Sequence, residues 1–201
     1  MSSRLSPPLM PPLASPLTPE NAVLLIIDLQ ERLLPAMADS AACVAAAGRL
    51  IEAAKILNVP MVCTEQVPLK IGRTVPDIRD RLSDGIGERL GGVPAFGKTR
   101  FSVCIEPVTA RLRELDRPLI IVVGIEAHVC VQQSVLGLLR LGYLPIVCAD
   151  AIASRRPLDR DVAIERMRQA GAIITTSEST IFELIGDASR AEFPAILKIV
   201  K

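Results

Sequence analysis

Histidine is nearly missing from this chain of 201 residues; His128 is the only one. A site built from two or more histidine ligands is thereby excluded, and with it most catalytic zinc arrangements. Neither a metal nor a cofactor is expected. Tryptophan is absent and aromatic residues make up 2% of the sequence, so no platform exists for stacking single-stranded bases. Neither sign of charge dominates. Twenty-three basic and 22 acidic side chains leave a net charge of +1, with no basic stripe, and nucleic acid is not an expected partner. No apolar run approaches the length of a membrane span, so no membrane association is expected. The five cysteines (Cys43, Cys63, Cys104, Cys130, Cys148) are odd in number and scattered, without a C-x-x-C pair. That pattern argues against a zinc ribbon and a disulfide framework, and for a reduced, cytoplasmic setting.

What the chain does have is apolar mass: 50% hydrophobic residues and a mean hydropathy of +0.39, enough to bury a substantial core. The first stretch, Met1 to Pro19, is the exception. It is rich in Pro and Ser, forms no regular element, and has prolines interrupting every apolar run, unlike a signal peptide. It reads as an arm, expected to lie against a neighbouring subunit, ahead of a single domain over residues 20–201.

Within that domain short β-branched runs alternate with longer amphipathic segments. Ala22–Ile27, Pro60–Thr64, Pro94–Gly97, Leu119–Val123, Leu144–Cys148 and Ala172–Thr175 read as strands. Helical spacing falls between them: Cys43 to Leu57, Val108 to Leu115, Val131 to Leu138 and Asp159 to Ala170, with further helices around Thr180–Ile185 and Arg190–Val200. The stretch from Glu65 to Gly92 reads as a long loop with short helices. Strands without polar alternation, each followed by a helix, predict an α/β fold: a three-layer αβα sandwich around a mainly parallel, six-stranded, Rossmann-like sheet of order 3-2-1-4-5-6. The C-terminal stripe Phe193, Ile196, Leu197 and Val200 suggests either a subunit contact in a homo-oligomer or packing within the chain.

In such a sheet ligands bind at the carboxyl ends of the strands, where strand order reverses. Asp28 follows the first strand, Lys98 the third, and Cys130 follows the fourth through Gly124 and a turn. These three groups are expected to converge. A thiol entering a helix there meets free N–H groups and the macrodipole, which favour thiolate; the alternative is a buried cysteine acting as a small hydrophobe. A desolvated Asp28 carboxyl is suited to accept and return the thiol proton, and Lys98 to favour both anions. His128, two residues from Cys130 on a helix, points away from it and is expected to support the pocket mouth. Gln30, Gln66 and Phe101 are further wall candidates.

Three segments carry a family resemblance: I-I-D-L-Q (Ile26–Gln30), F-G-K-T-R-F-S (Phe96–Ser102) and G-I-E-A-H-V-C-V (Gly124–Val131). They resemble the signature segments of the isochorismatase-like cysteine hydrolases. The stretch from Ser154 to Ala172, followed by T-S-E, resembles the isochorismatase-domain-containing subgroup. The resemblance implies an Asp28–Lys98–Cys130 triad, a non-proline cis peptide at Ile125–Glu126, and an oxyanion hole from the Glu126 and Cys130 amides. It implies a hydrolase that forms a thioester on a small amide- or ester-like substrate. Family members with a histidine-rich metal site differ from this chain, which has one histidine.

Two other readings stand beside it. The same fold without turnover would be an interaction protein. Gly92 to Thr99 (G-V-P-A-F-G-K-T) matches a nucleotide-binding P-loop in spelling, yet lacks the preceding strand and following helix, and Pro94 removes an amide donor. The run Gly85–Gly91 is weaker still as a dinucleotide signal.

Overall fold

All six residues of β1 (Ala22–Ile27) are buried, and successive side chains go to opposite faces. Ala22, Leu24 and Ile26 join one apolar cluster; Val23, Leu25 and Ile27 join the other. A strand with no polar face is stable only between two covering layers. The computed structural model, which describes residues 16–83 and 93–201, shows those layers.

The sheet comprises β1, β2 (Met61–Gln66), β3 (Ala95–Lys98), β4 (Leu119–Ile125), β5 (Leu144–Ala153) and β6 (Ile173–Thr175), all parallel, in the order β3-β2-β1-β4-β5-β6. On one face lie α1 (Ser40–Ile56), α3 (Pro76–Ser83), α7 (Ser177–Ile185) and α8 (Phe193–Val200). On the other lie α4 (Glu106–Leu115), α5 (Gln132–Arg140) and α6 (Pro157–Gln169). A single-turn helix, α2 (Pro68–Ile71), follows β2. Order reverses between β1 and β4, which run in register from Ala22↔Leu119 to Ile27↔Gly124. There β4 passes so close to β1 that a Cβ on Gly124 would stand 2.0 Å from the Ile27 carbonyl oxygen, and its φ of +126° is open only to glycine.

One expectation is corrected. The fifth strand does not end at Cys148. Register against β4 jumps from Val122↔Val147 to Gly124↔Ile152, and the strand resumes to Ala153 beyond the bulge. The bulge's carbonyls are held by Arg160, whose guanidinium donates to Ala149 O and Ile152 O, and Asp150 accepts from Ser177 N and Oγ at the start of α7. Most of the proline-rich arm lies outside the described residues; its last residues pack on this chain's own core. Leu17 is buried, its amide donates to Glu183 Oε1, and Asn21 binds the Pro16 carbonyl. Of the C-terminal stripe, Ile196 is fully buried within this chain, and Phe193 meets Phe182 edge-on at 6.5 Å. As argued against the P-loop reading, Lys98 ends a strand and no helix opens there; Gly92 and the run Gly85–Gly91 lie outside the described residues. Among the described residues no helix is long and apolar enough to cross a membrane.

Candidate active site

Asp28 leaves β1 with φ +53°, a left-handed turn that aspartate tolerates better than most residues. Its backbone amide donates to Thr64 O at 3.1 Å, tying the turn to β2. Both carboxylate oxygens are occupied: Oδ1 accepts from Thr64 Oγ1 at 2.8 Å and Oδ2 from Lys98 Nζ at 2.6 Å. Neither side chain of this ion pair is exposed. Burying two charges is costly unless each finds further partners. Lys98 finds three more: Gln66 Oε1 at 2.7 Å, Phe101 O at 3.1 Å and Arg100 O at 3.3 Å. The ammonium therefore sits in a cage of acceptors that draws the loop after β3 back over β2 toward β1.

Cys130 enters from β4 through a single π-helical turn, Ala127–Val131, that leads directly into α5. Its thiol feels the charges of both Asp28 and Lys98. Burial pushes the thiol up to about 12, the Asp28 carboxylate adds to that rise, and Lys98 opposes it. The thiolate expected from the helix terminus is thus outweighed by desolvation in the free protein. Ser134 Oγ donates to the Cys130 carbonyl at 2.5 Å and accepts from Val103 N at 3.0 Å, fixing the turn against the loop after β3. The peptide bond Ile125–Glu126 is cis. The Glu126 carbonyl accepts from Val129 N and Val131 N, and its carboxylate accepts from Arg155 Nε at 2.8 Å.

The wall candidates sort differently. Gln30 is fully buried and serves as a clamp: its Oε1 accepts from Gln66 N, and its Nε2 donates to Gln66 O and Gly72 O. Gln66 is likewise engaged, holding Lys98 through Oε1 and Thr99 O through Nε2. Phe101 is 51% exposed at the mouth. His128 Nδ1 meets Ser154 Oγ at 3.0 Å, joining the turn before Cys130 to the end of β5. Thr64 and Arg155 escaped sequence reasoning. Thr64 closes an apolar run, and Arg155 lies past the residue at which the strand was expected to stop. Among the described residues no three His, Cys, Asp or Glu side chains are grouped to hold a metal ion.

The isochorismatase domain model matches residues 22–179. The chain belongs to the isochorismatase family. Isochorismatase domain-containing protein 2A of Mus musculus is 38% identical over 187 residues, covering 91% of this chain and 84% of that protein. Isochorismatase domain-containing protein 1 of Salmo salar is 37% identical over 186 residues; the alignment covers 92% of this chain and 62% of that longer relative. Among solved structures, the MAR1 ribonuclease of Caenorhabditis elegans superposes with a TM-score of 0.85 at 39% identity, over 92% of both chains. The family's three-layer fold thus holds Asp28, Lys98 and Cys130 at the reversal point of this chain's sheet.

Proposed function

We propose that this isochorismatase-family protein hydrolyses a small amide or ester through a thioester on Cys130. The observation that carries the reading is a buried acid and ammonium in direct contact, with a buried thiol from a third strand end within reach of both their charges. They lie at the carboxyl ends of the strands of a parallel sheet, where ligands bind.

In the free protein the proton stays on sulfur, because burial raises the thiol to about 12. Deprotonation is therefore coupled to attack. Sulfur bonds to the substrate carbonyl carbon as its proton passes to Asp28, and the amides of Glu126 and Cys130 receive the oxyanion. Collapse breaks the bond to the amine or alcohol, which leaves with the Asp28 proton. Water then attacks the thioester, giving its proton to Asp28; the carbon–sulfur bond breaks and the proton returns to the thiol. Lys98 holds the Asp28 carboxylate in place and stabilises the negative charge on sulfur as it forms.

A panel of small amides and esters tests this. Wild type should turn over at least one of them, Cys130→Ala none, and Asp28→Asn should be slower by a factor of roughly 10² or more. Quenched mixtures should show an acyl mass on the Cys130 peptide. Activity that survives in Cys130→Ala would overturn the thioester. The 39% identity to the MAR1 ribonuclease of Caenorhabditis elegans supports a second reading, RNA cleavage, so an RNA oligonucleotide belongs in the panel. Inertness toward every compound would leave the interaction-protein reading in its place.

A further inference from the structure

The loop that follows β3 is fastened at both ends, and each fastening belongs to a different reactive group. At its start the Arg100 and Phe101 carbonyls accept from Lys98 Nζ, and Thr99 O accepts from Gln66 Nε2. At its far end Val103 N donates to Ser134 Oγ at 3.0 Å. That hydroxyl donates in turn to the Cys130 carbonyl at 2.5 Å, so one side chain touches both the loop and the residue that carries the thiol. Ser134 is fully buried, and both bonds are shielded from water.

The helix is shaped to receive the loop. Gly137 lies one turn after Ser134 on the same face of α5. A Cβ there would stand 2.6 Å from Cys104 Sγ and 3.1 Å from Ser102 Oγ. Ser102 Oγ accepts from Cys104 N, and Cys104 Sγ lies 3.9 Å from Ser134 O. Alanine would suit a helix interior better than glycine, so the bare position answers to the close approach of the loop. Ser134 and Gly137 together make a seat on which residues 102–104 rest.

Resting on the reading of Cys130 as the nucleophile, we infer that Ser134 is a positioning residue. Seated with Gly137 against the loop after β3, it holds the Cys130 turn and the Lys98 ammonium in fixed relation. The sheet alone ties them only indirectly, since the turn hangs from β4, the loop from β3, and both β1 and β2 lie between. The bond across α5 bypasses those strands. Lys98 opposes the rise of the Cys130 thiol, so an ammonium that drifts with its loop leaves the sulfur more firmly protonated. Misplacement of reacting groups by even an ångström also slows chemistry.

Alkylation of Cys130 by iodoacetamide, read by peptide mass spectrometry on the intact protein, tests the inference without a substrate. Ser134→Ala removes both bonds and should slow labelling at ~pH 8 by roughly threefold or more. Ser134→Thr keeps the hydroxyl and should restore the rate. Gly137→Val displaces the loop by another route, because its branches extend past a Cβ already in collision, and should slow labelling likewise. Ile196→Ala opens a cavity in the layer on the other face of the sheet. It should lower the urea midpoint and leave the labelling rate unchanged, which separates positioning from loss of stability. On any panel compound that is turned over, Ser134→Ala should lower kcat roughly tenfold or more and leave KM within about twofold.

A folded Ser134→Ala labelled at the wild-type rate or faster overturns the inference, as does a Thr variant that fails to restore what Ala loses. If Ser134→Ala does not fold, the Gly137→Val rate decides; failure of both to fold would make the seat a structural device and overturn it too. Absence of turnover with labelling intact counts against the thioester alone. If wild-type Cys130 resists iodoacetamide, the smaller methyl methanethiosulfonate supplies the rates, and resistance to both overturns the nucleophile and its seat together.

Discussion

Lys98 and Asp28 place opposite charges 2.6 Å apart with neither side chain exposed. The pair offsets its desolvation only through mutual contact and through Thr64, Gln66 and two backbone carbonyls. Removing one partner leaves the other charge buried alone, so Lys98→Met should lower stability by about 3–5 kcal/mol in urea denaturation. Adding Asp28→Asn should recover a large part of that loss, and a double-mutant cycle without coupling would contradict the paired burial. The thiol beside them gives a second expectation. With burial holding Cys130 up near 12 from an ordinary 9.0, its alkylation rate in the free protein should still be climbing at ~pH 10, without a plateau near neutrality. At this scale the three candidate residues could be picked out because each follows the end of an expected strand, and the Asp28–Lys98 contact joins two of them. The protonation state of the sulfur could not be read, since burial is decided by chain segments far from Cys130 in sequence.

Gly124 ties the conformation of β4 to that of β1. A Cβ there would meet Ile27 O at 2.0 Å and Ile27 C at 2.7 Å, both backbone atoms of a fully buried strand that cannot yield. Gly124→Ala should therefore cost more than about 4 kcal/mol or abolish soluble expression, the range reached when core backbone has to move. The clamp between β1 and β2 is a milder device. Gln30→Leu strands Gln66 N, Gln66 O and Gly72 O, buried groups whose loss of a partner costs about 1–3 kcal/mol each before water enters. Gln66 should drift with it, so the variant should lose activity together with stability. Strand positions were readable from β-branched runs, and β1 carries the very residues expected. What could not be read was the continuation of β5 past Cys148. A bulge stabilised by Arg160 and Asp150 depends on partners in other elements, and local periodicity carries no trace of them.

For the whole molecule, strand order followed from chemistry-independent rules, because parallel crossovers with helices on both faces leave few topologies. Burial of individual side chains did not follow, since it is set only when the layers are gathered around the sheet. The same gathering buries four thiols. Cys43, Cys63, Cys130 and Cys148 each rise from 9.0 to about 12, in every case chiefly through desolvation. In the unfolded chain all four titrate near their ordinary value, so the folded state holds its protons to higher pH. Their contribution is present in full below pH 9 and is lost as the pH climbs toward 12. Each proton is worth about 1.4 kcal/mol per pH unit in that window, so four thiols should remove several kcal/mol by ~pH 10.5, a large share of a typical domain's stability. Urea midpoints measured under reducing conditions should fall steeply above pH 9. Cys43→Ala, far from the reactive groups, should flatten the slope by about a quarter, and a midpoint that holds level across the same range would show that these sulfurs reach water in the folded protein.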